Sequence, residues 1–163
     1  MDTKGNEQKE MSFVRELDEV VELMRPYAEL HKVELFFTTT AQEDIFIKGE
    51  PSMLRFALLN IIKNGIEACS PKGQVNVCLH EMLKEVYIVI EDNGMGIPRH
   101  ILEQLGKPLT SGKVNGTGLG LASTFKIAES MGGRVEVESK PNMGTVFSVY
   151  FPKWAVSGSN QMY

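Results

Sequence analysis

The sequence predicts an α+β fold: a two-layer α/β sandwich with a mixed, mostly antiparallel sheet of about five to six strands, covered on one face by about three helices. Three observations predict it. Two stretches, Phe13 to His31 and Arg55 to Ala68, carry apolar residues at helical spacing and alternate with short β-branched segments. The later β segments come in pairs joined by short polar connections, as antiparallel hairpins require. With 163 residues and 42% hydrophobic content, the chain suffices for one core.

Taken in order, residues 1–10 are polar, have no apolar signal segment, and are expected to be a disordered segment or tag. The domain then spans 11–153, with a loose tail over 154–163. Phe13, Val14, Leu17, Val20, Val21, Met24, Tyr27, Ala28 and Leu30 predict the first helix, with Pro26 expected to kink or break it. Val33–Thr39 and Ile45–Lys48 read as two strands joined by a polar turn around Gln42–Asp44. Gly49-Glu50-Pro51 opens the next helix, with proline near its first turn, and Ser70-Pro71-Lys72-Gly73 ends it near Cys69. Val75–His80 and Val86–Glu91 alternate apolar and polar residues and pair through Glu81–Lys84. A short helix over Pro98–Leu105 precedes irregular chain. Gly116 to Leu121, reading GTGLGL, runs into a helix stopped after Met131 by Gly132-Gly133. Arg134–Ser139 and Thr145–Phe151 close the fold as a hairpin around Pro141–Gly144.

Composition excludes several classes. The net charge is −4 with lysine and arginine dispersed, which argues against a nucleic-acid or polybasic membrane surface. No apolar run approaches the roughly 18 residues needed to span a bilayer, so a cytoplasmic fragment without direct membrane contact is expected. Cys69 and Cys78 lack a CxxC arrangement and read as reduced structural thiols. His31, His80 and His100 are scattered and form no ligand cluster.

The second helix carries the first chemical signal. Asn60, Asn64 and Glu67, spaced by four and three, form one polar stripe, while Leu54, Leu58, Ile61 and Ile62 fall largely elsewhere. A solvated face would explain the stripe. Yet asparagine competes with the helical backbone for hydrogen bonds, and two of them one turn apart look placed. A carboxamide oxygen suits Mg²⁺, which keeps several waters and bridges phosphates, so the stripe is a candidate metal and phosphate platform.

Two glycine motifs follow. In Asp92-Asn93-Gly94-Met95-Gly96-Ile97, a carboxylate at a strand end can accept from an exocyclic amine such as adenine N6, and the glycines admit a flat ligand. A plain Asp-Asn-Gly turn remains the alternative. GTGLGL is not the dinucleotide fingerprint, since no strand leads into it, and Gly106 to Val114 is not a P-loop. Glycines at a helix start expose amides suited to phosphate; a flexible linker is the other reading.

In their order and spacing these motifs resemble the catalytic, ATP-binding domain of sensor histidine kinases. That superfamily includes type II topoisomerases, heat-shock chaperone ATPases and mismatch-repair ATPases. The resemblance covers residues 13–153: NIIKNGIEA is similar to the N box, DNGMGI to the G1 box, GTGLGL to the G2 box and Gly144-Thr145 to the G3 element. It implies a Bergerat-type ATP-binding fold with ATP and Mg²⁺ as cofactors. By resemblance, Asn64 would coordinate the Mg²⁺ bridging the triphosphate, with Asn60 assisting and Lys63 near the phosphates; these three form the implied catalytic set. Asp92 would bind the adenine amine, Gly94 and Gly96 would shape the pocket floor, and Thr145 would sit under the adenine. Gly116, Gly118 and Gly120 would approach the phosphates, and Glu67, Ile97, Thr117, Leu119 and Leu121 join the cofactor-binding set. Residues 98–115 would form a mobile lid, with Lys107 and Lys113 as phosphate contacts.

One position separates the branches. ATP-hydrolysing members typically carry glutamate four residues before the metal-binding asparagine; here that residue is Asn60. An amide cannot accept a proton at neutral pH, so the base for water attack is missing. The resemblance therefore implies an ATP-dependent protein histidine kinase, closest to the sporulation and nitrogen-regulation types. It would donate the γ-phosphoryl group to a histidine on a separate dimerisation and phosphoacceptor domain of the same two-component parent. An ATPase or serine kinase of the superfamily, or a nucleotide-binding pseudo-enzyme that recruits a partner, is the alternative. The sequence departs from the family in its lid, where Pro108-Leu109-Thr110-Ser111-Gly112-Lys113 lacks the usual aromatics. It also lacks an acceptor histidine: His80-Glu81 falls at a strand end. The implied partners are the phosphoacceptor helical domain and a downstream response regulator, with the fragment itself monomeric.

Overall fold

The computed structural model describes residues 8–105 and 117–154. Among these the elements run β1 (Lys9–Ser12), α1 (Phe13–Leu30), β2 (Glu34–Thr39), β3 (Phe46–Gly49), α2 (Pro51–Cys69), β4 (Gln74–Glu81) and β5 (Glu85–Asp92). Then come α3 (Arg99–Leu102), α4 (Thr117–Ser130), β6 (Arg134–Lys140) and β7 (Gly144–Pro152). A five-stranded sheet has the order β2-β4-β5-β7-β6, with β2 parallel to β4 and the other pairs antiparallel. β1 and β3 form a separate two-stranded antiparallel sheet.

Strand alternation decides the layers. Val75, Val77 and Leu79 on β4, Val86, Ile88 and Ile90 on β5, and Phe147, Val149 and Phe151 on β7 are buried against α1, α2 and α4. Phe13 at the start of α1 meets Phe151 edge-on, with ring centroids 5.5 Å apart. The intervening residues point to the uncovered face. There His80, Tyr87 and Tyr150 stack at 4.9 Å spacing across neighbouring strands, and the Arg134 guanidinium lies 3.9 Å over the Tyr150 ring.

Five local expectations are corrected. β2 and β3 do not pair with each other: Thr40 N–H extends the β2 ladder onto Leu79 of β4, and β3 instead takes β1. Lys9 and Glu10, expected to be disordered, pair with Gly49 and Lys48, which gives their backbone the partners a loose segment lacks. Pro26 does not break α1: it lies on the exposed side, as does Glu22, whose carbonyl would have met the missing N–H and can be solvated instead. α3 is shorter than Pro98–Leu105, ending at Leu102 before turns. Trp154, assigned to the tail, is tied down as well: its N–H donates to Phe46 O at 2.7 Å and Lys48 Nζ sits 4.4 Å over its ring. The rest of the tail and most of the predicted lid lie outside the described residues.

Candidate functional site

α2 carries the site because one of its sides is fully committed to the core. Glu50 caps it, Pro51 opens it, and Leu54, Leu58, Ile61, Ile62 and Ile66 are buried. α1 is docked on it by a two-pronged pair, Arg55 Nε to Glu16 Oε2 at 2.8 Å and Nη2 to Oε1 at 3.0 Å, around a nearly buried Glu16. The remaining side, through Asn64, Gly65, Glu67 and Ala68, forms one wall of a cavity of ≈ 240 Å³. The other walls are Asp92, Met95, Gly96, Ile97, Pro98, Ile101, Leu121, Thr145 and Phe147. The result is an apolar slot with a few convergent polar groups, the usual form of a small-molecule site.

At one end the polar groups are tied to one another. Asp92 closes β5 directly opposite Thr145 of β7 and is buried. Its Oδ1 accepts from Gly94 N–H at 2.9 Å, and the Thr145 N–H also donates to its carboxylate. Burial pushes the carboxyl above the usual aspartate range, those two hydrogen bonds pull it back, and the charge of Glu91 adds a small further push. Ser139 on β6 ties this end together: its hydroxyl accepts from Ile97 N–H at 2.7 Å, donates to Gly144 O at 3.0 Å and meets Thr145 Oγ1 at 2.8 Å. With the single Ser139 proton committed to Gly144, hydrogen-bond bookkeeping makes Thr145 the donor in the last contact. The Thr145 oxygen is thereby left as an acceptor on the cavity wall. Two glycines make this packing possible. Gly96, at φ +78°, would place a Cβ 2.2 Å from Lys140 O, and Gly144, at φ +91°, would place one 2.0 Å from Asp92 O.

Beside the cavity, one turn earlier on α2, the site is open in a chemical sense. Asn60 lies beneath the first turn of α4, where a Cβ on Gly120 would stand 3.1 Å from Asn60 Oδ1. Its Nδ2 is buried with no hydrogen-bond partner among the described residues. Leu121 is buried and lines the slot, while Thr117, Gly118 and Leu119 form the first turn of the α4 backbone. Gly116, Lys107 and Lys113 lie outside the described residues.

The structure therefore brings together Asn64, Glu67, Asp92, Gly96, Ile97, Leu121 and Thr145 on one cavity. Gly94 packs behind it against Ala68, and Asn60 sits beside Gly120 off the cavity wall. Lys63 is exposed and does not line the cavity. Cys69 is a free thiol whose pKa is pushed up to about 11 by burial first and the Asp92 charge second, consistent with an inert structural role. Two contributors carried no sequence signal. Ser139 is simply an alternating strand residue. Tyr27 counted as an apolar helix position, yet its hydroxyl donates to Glu67 Oε2. That hydrogen bond, then burial, then the Glu67 charge push the Tyr27 hydroxyl up to about 12.

Fold and slot together define a class: a helix-covered mixed sheet that can hold a flat ligand between a buried strand-end carboxylate and an asparagine-bearing helix. The solved catalytic domain of histidine kinase ThkA matches it with a TM-score of 0.77 at 28% identity, covering 90% of this chain and 96% of that one. Histidine kinase ThkA solved in complex with response regulator protein TrrA shares the fold, with a TM-score of 0.75 at 23% identity over 91% of this chain and 42% of that one. Sporulation kinase A of Bacillus subtilis (strain 168) is 36% identical over 138 residues, 84% of this chain; the chain spans only 22% of that relative's length. Residues 49–155 match the Histidine kinase-, DNA gyrase B-, and HSP90-like ATPase family. The chain belongs to that family. No helix among the described residues is long and apolar enough to cross a membrane.

Proposed function

We propose that this chain is the catalytic unit of a protein histidine kinase that binds Mg²⁺–ATP and donates the γ-phosphoryl group to a histidine on a separate helical domain of its parent. A response regulator would receive the group in turn. The observation that carries this reading is the buried Asp92 carboxylate, held by Gly94 and Thr145 on an apolar slot whose opposite wall bears Asn64. Asp92 accepts from the adenine amine, and the fixed Thr145 oxygen offers a second acceptor beside it. The slot walls Ile97, Leu121 and Phe147 exclude water from the base.

The donor set also fits a magnesium ion. Asn64 presents a carboxamide on the cavity wall and Asn60, one turn earlier, offers a second carboxamide oxygen beside Gly120, while the buried Asn60 Nδ2, which has no partner among the described residues, could donate to a phosphate oxygen. Asn64, assisted by Asn60, would hold the ion, which would supply positive charge to offset that of the phosphates. Gly118 and Gly120, at the start of α4, let phosphate oxygens approach backbone amides. Neither Asn60 nor Asn64 can take a proton from water, so these residues position the phosphoryl donor and leave the nucleophile to come from elsewhere, as a neutral imidazole can.

The test incubates the parent kinase containing this chain with γ-labelled ATP and Mg²⁺. Label on protein that is lost in acid and kept in base is the expected phosphohistidine. Acid-stable label would mean serine or threonine transfer, and free phosphate without labelled protein an ATPase. Asp92→Asn should weaken ATP binding by this chain at least about tenfold, since a charged acceptor is lost from a buried hydrogen bond. Unchanged affinity by calorimetry would remove Asp92 from the site.

A further inference from the structure

Glu67 poses an electrostatic problem that its neighbours sharpen. Its carboxylate lines the same cavity as Asn64, one helical turn away on α2, where Cβ atoms stand roughly 5–6 Å apart. A carboxylate at that range repels a triphosphate. It is also not free to swing away. The Tyr27 hydroxyl reaches across from α1 to donate to Oε2. The Tyr27 ring in turn lies 4.3 Å from the His31 ring, and His31 O accepts from Ser70 Oγ at 2.9 Å, just past the end of α2. Among the described residues no lysine or arginine pairs with Glu67; Lys63, one turn earlier, is exposed without an ion pair. Among the described residues, the fold thus fixes an acid with no cationic partner on the wall of a site read as binding phosphates.

Such an acid is productive only if a cation stands between it and the phosphates. Mg²⁺ dehydrates reluctantly and keeps several waters, and those waters are donors that a carboxylate accepts well. We infer that Glu67, oriented by Tyr27, makes nucleotide binding conditional on a divalent cation: it accepts from water on the phosphate-bound ion and repels the triphosphate when the ion is absent. Tyr27 is the positioning residue. It reaches the site from α1, which precedes the segment matching the family. The inference rests on the nucleotide reading above and assigns Glu67 a role distinct from metal ligation by Asn64.

Calorimetric titration of the chain with a non-hydrolysable ATP analogue, in Mg²⁺ and separately in EDTA, tests it. Glu67→Gln keeps the shape and an acceptor oxygen but removes the charge. It should tighten metal-free binding while weakening binding in Mg²⁺, so the enhancement by metal falls roughly threefold to tenfold, the range of one unit charge at this separation in a wet site. Tyr27→Phe keeps the ring against His31, should shift the same ratio by a smaller factor, and should add nothing in the double variant. Circular dichroism of each variant checks the fold. A fall in affinity of equal size with and without metal would overturn the inference, because a packing role or a contact to the sugar predicts that result. If the wild-type chain binds no analogue even in Mg²⁺, the nucleotide reading fails and this inference with it. Binding that is intact and Asp92-dependent, with an unchanged metal ratio, overturns this inference alone.

Discussion

The cavity around Asp92 and the neighbouring region around Asn60 are built on opposite principles. Around Asp92 the polar groups are mutually satisfied: Gly94, Thr145, Ser139, Gly144 and Ile97 form a closed set of hydrogen bonds between β5, β6, β7 and the loop after β5. Around Asn60, on the helix that walls the same slot, a buried amide nitrogen has no partner among the described residues and the facing position is a glycine. A satisfied network is rigid and shape-specific, whereas an unsatisfied group costs stability until a ligand completes it. The difference teaches that the strand side of the site is preformed, while the side around Asn60 is left for a ligand to complete; under the proposed function these are the base and phosphate sides.

Breaking the preformed end should have the largest effect. Gly144→Val places a branched side chain at φ +91°, with its Cβ 2.0 Å from Asp92 O. Chemical denaturation should show a loss of about 3 kcal/mol or more, together with loss of ATP binding. Gly120→Ala is the counterpart at the unfinished end: its Cβ meets only the Asn60 side chain at 3.1 Å. Stability there should change by less than about 1 kcal/mol while nucleotide affinity falls. Equal destabilisation by the two changes would erase the contrast.

A smaller effect separates the ends by pH. Burial raises the Asp92 pKa in the folded state, so between the unfolded value near ~3.9 and the raised folded value the folded chain holds the extra proton. Within that window this group's contribution to stability declines as pH rises, and above it the buried charge is a standing cost. Asp92→Asn should therefore gain in melting temperature relative to wild type as pH climbs through the window. ATP binding by the wild type should switch on over the same window as the carboxylate forms. A constant difference in melting temperature from pH 3 to 7 would contradict this sign.

The smallest change in stability is expected at Asn60. Replacing Asn60, whose amide nitrogen has no partner among the described residues, with leucine should leave the denaturation free energy within about 1 kcal/mol of wild type, or raise it. Mg²⁺–ATP affinity should drop roughly tenfold, as for a lost polar contact to a charged ligand. Substantial destabilisation would mean that the Asn60 amide is already satisfied.

How much of this was legible in the sequence follows from how local each feature is. α2, the β4–β5 hairpin and the β6–β7 hairpin were readable because period and turn residues lie within one segment. The parallel pairing of β2 with β4 was not, since it joins residues 40 apart along the chain, such as Phe37 and Val77, and short strands carry no mark of their partners. β1 escaped because its four residues hold one inward apolar side chain, Met11. In the site, the stripe of Asn60, Asn64 and Glu67 was legible from helical spacing. That Lys63 falls outside the cavity is a matter of helical phase against α1 and α4, which the stripe alone does not define. Ser139 and Tyr27 were invisible for a plainer reason. Each fits its element's periodicity, and only tertiary packing turns its hydroxyl toward Thr145 or Glu67.

The short strand β3 joins the two ends of the folded unit. Ser12 is registered with Phe46 from one side, and the Trp154 N–H donates to the Phe46 carbonyl from the other. None of these residues lines the cavity. The unit is therefore topologically close to a ring, with entry and exit side by side. Ends held side by side, away from the cavity, are what insertion into a longer polypeptide or circular permutation requires of a domain.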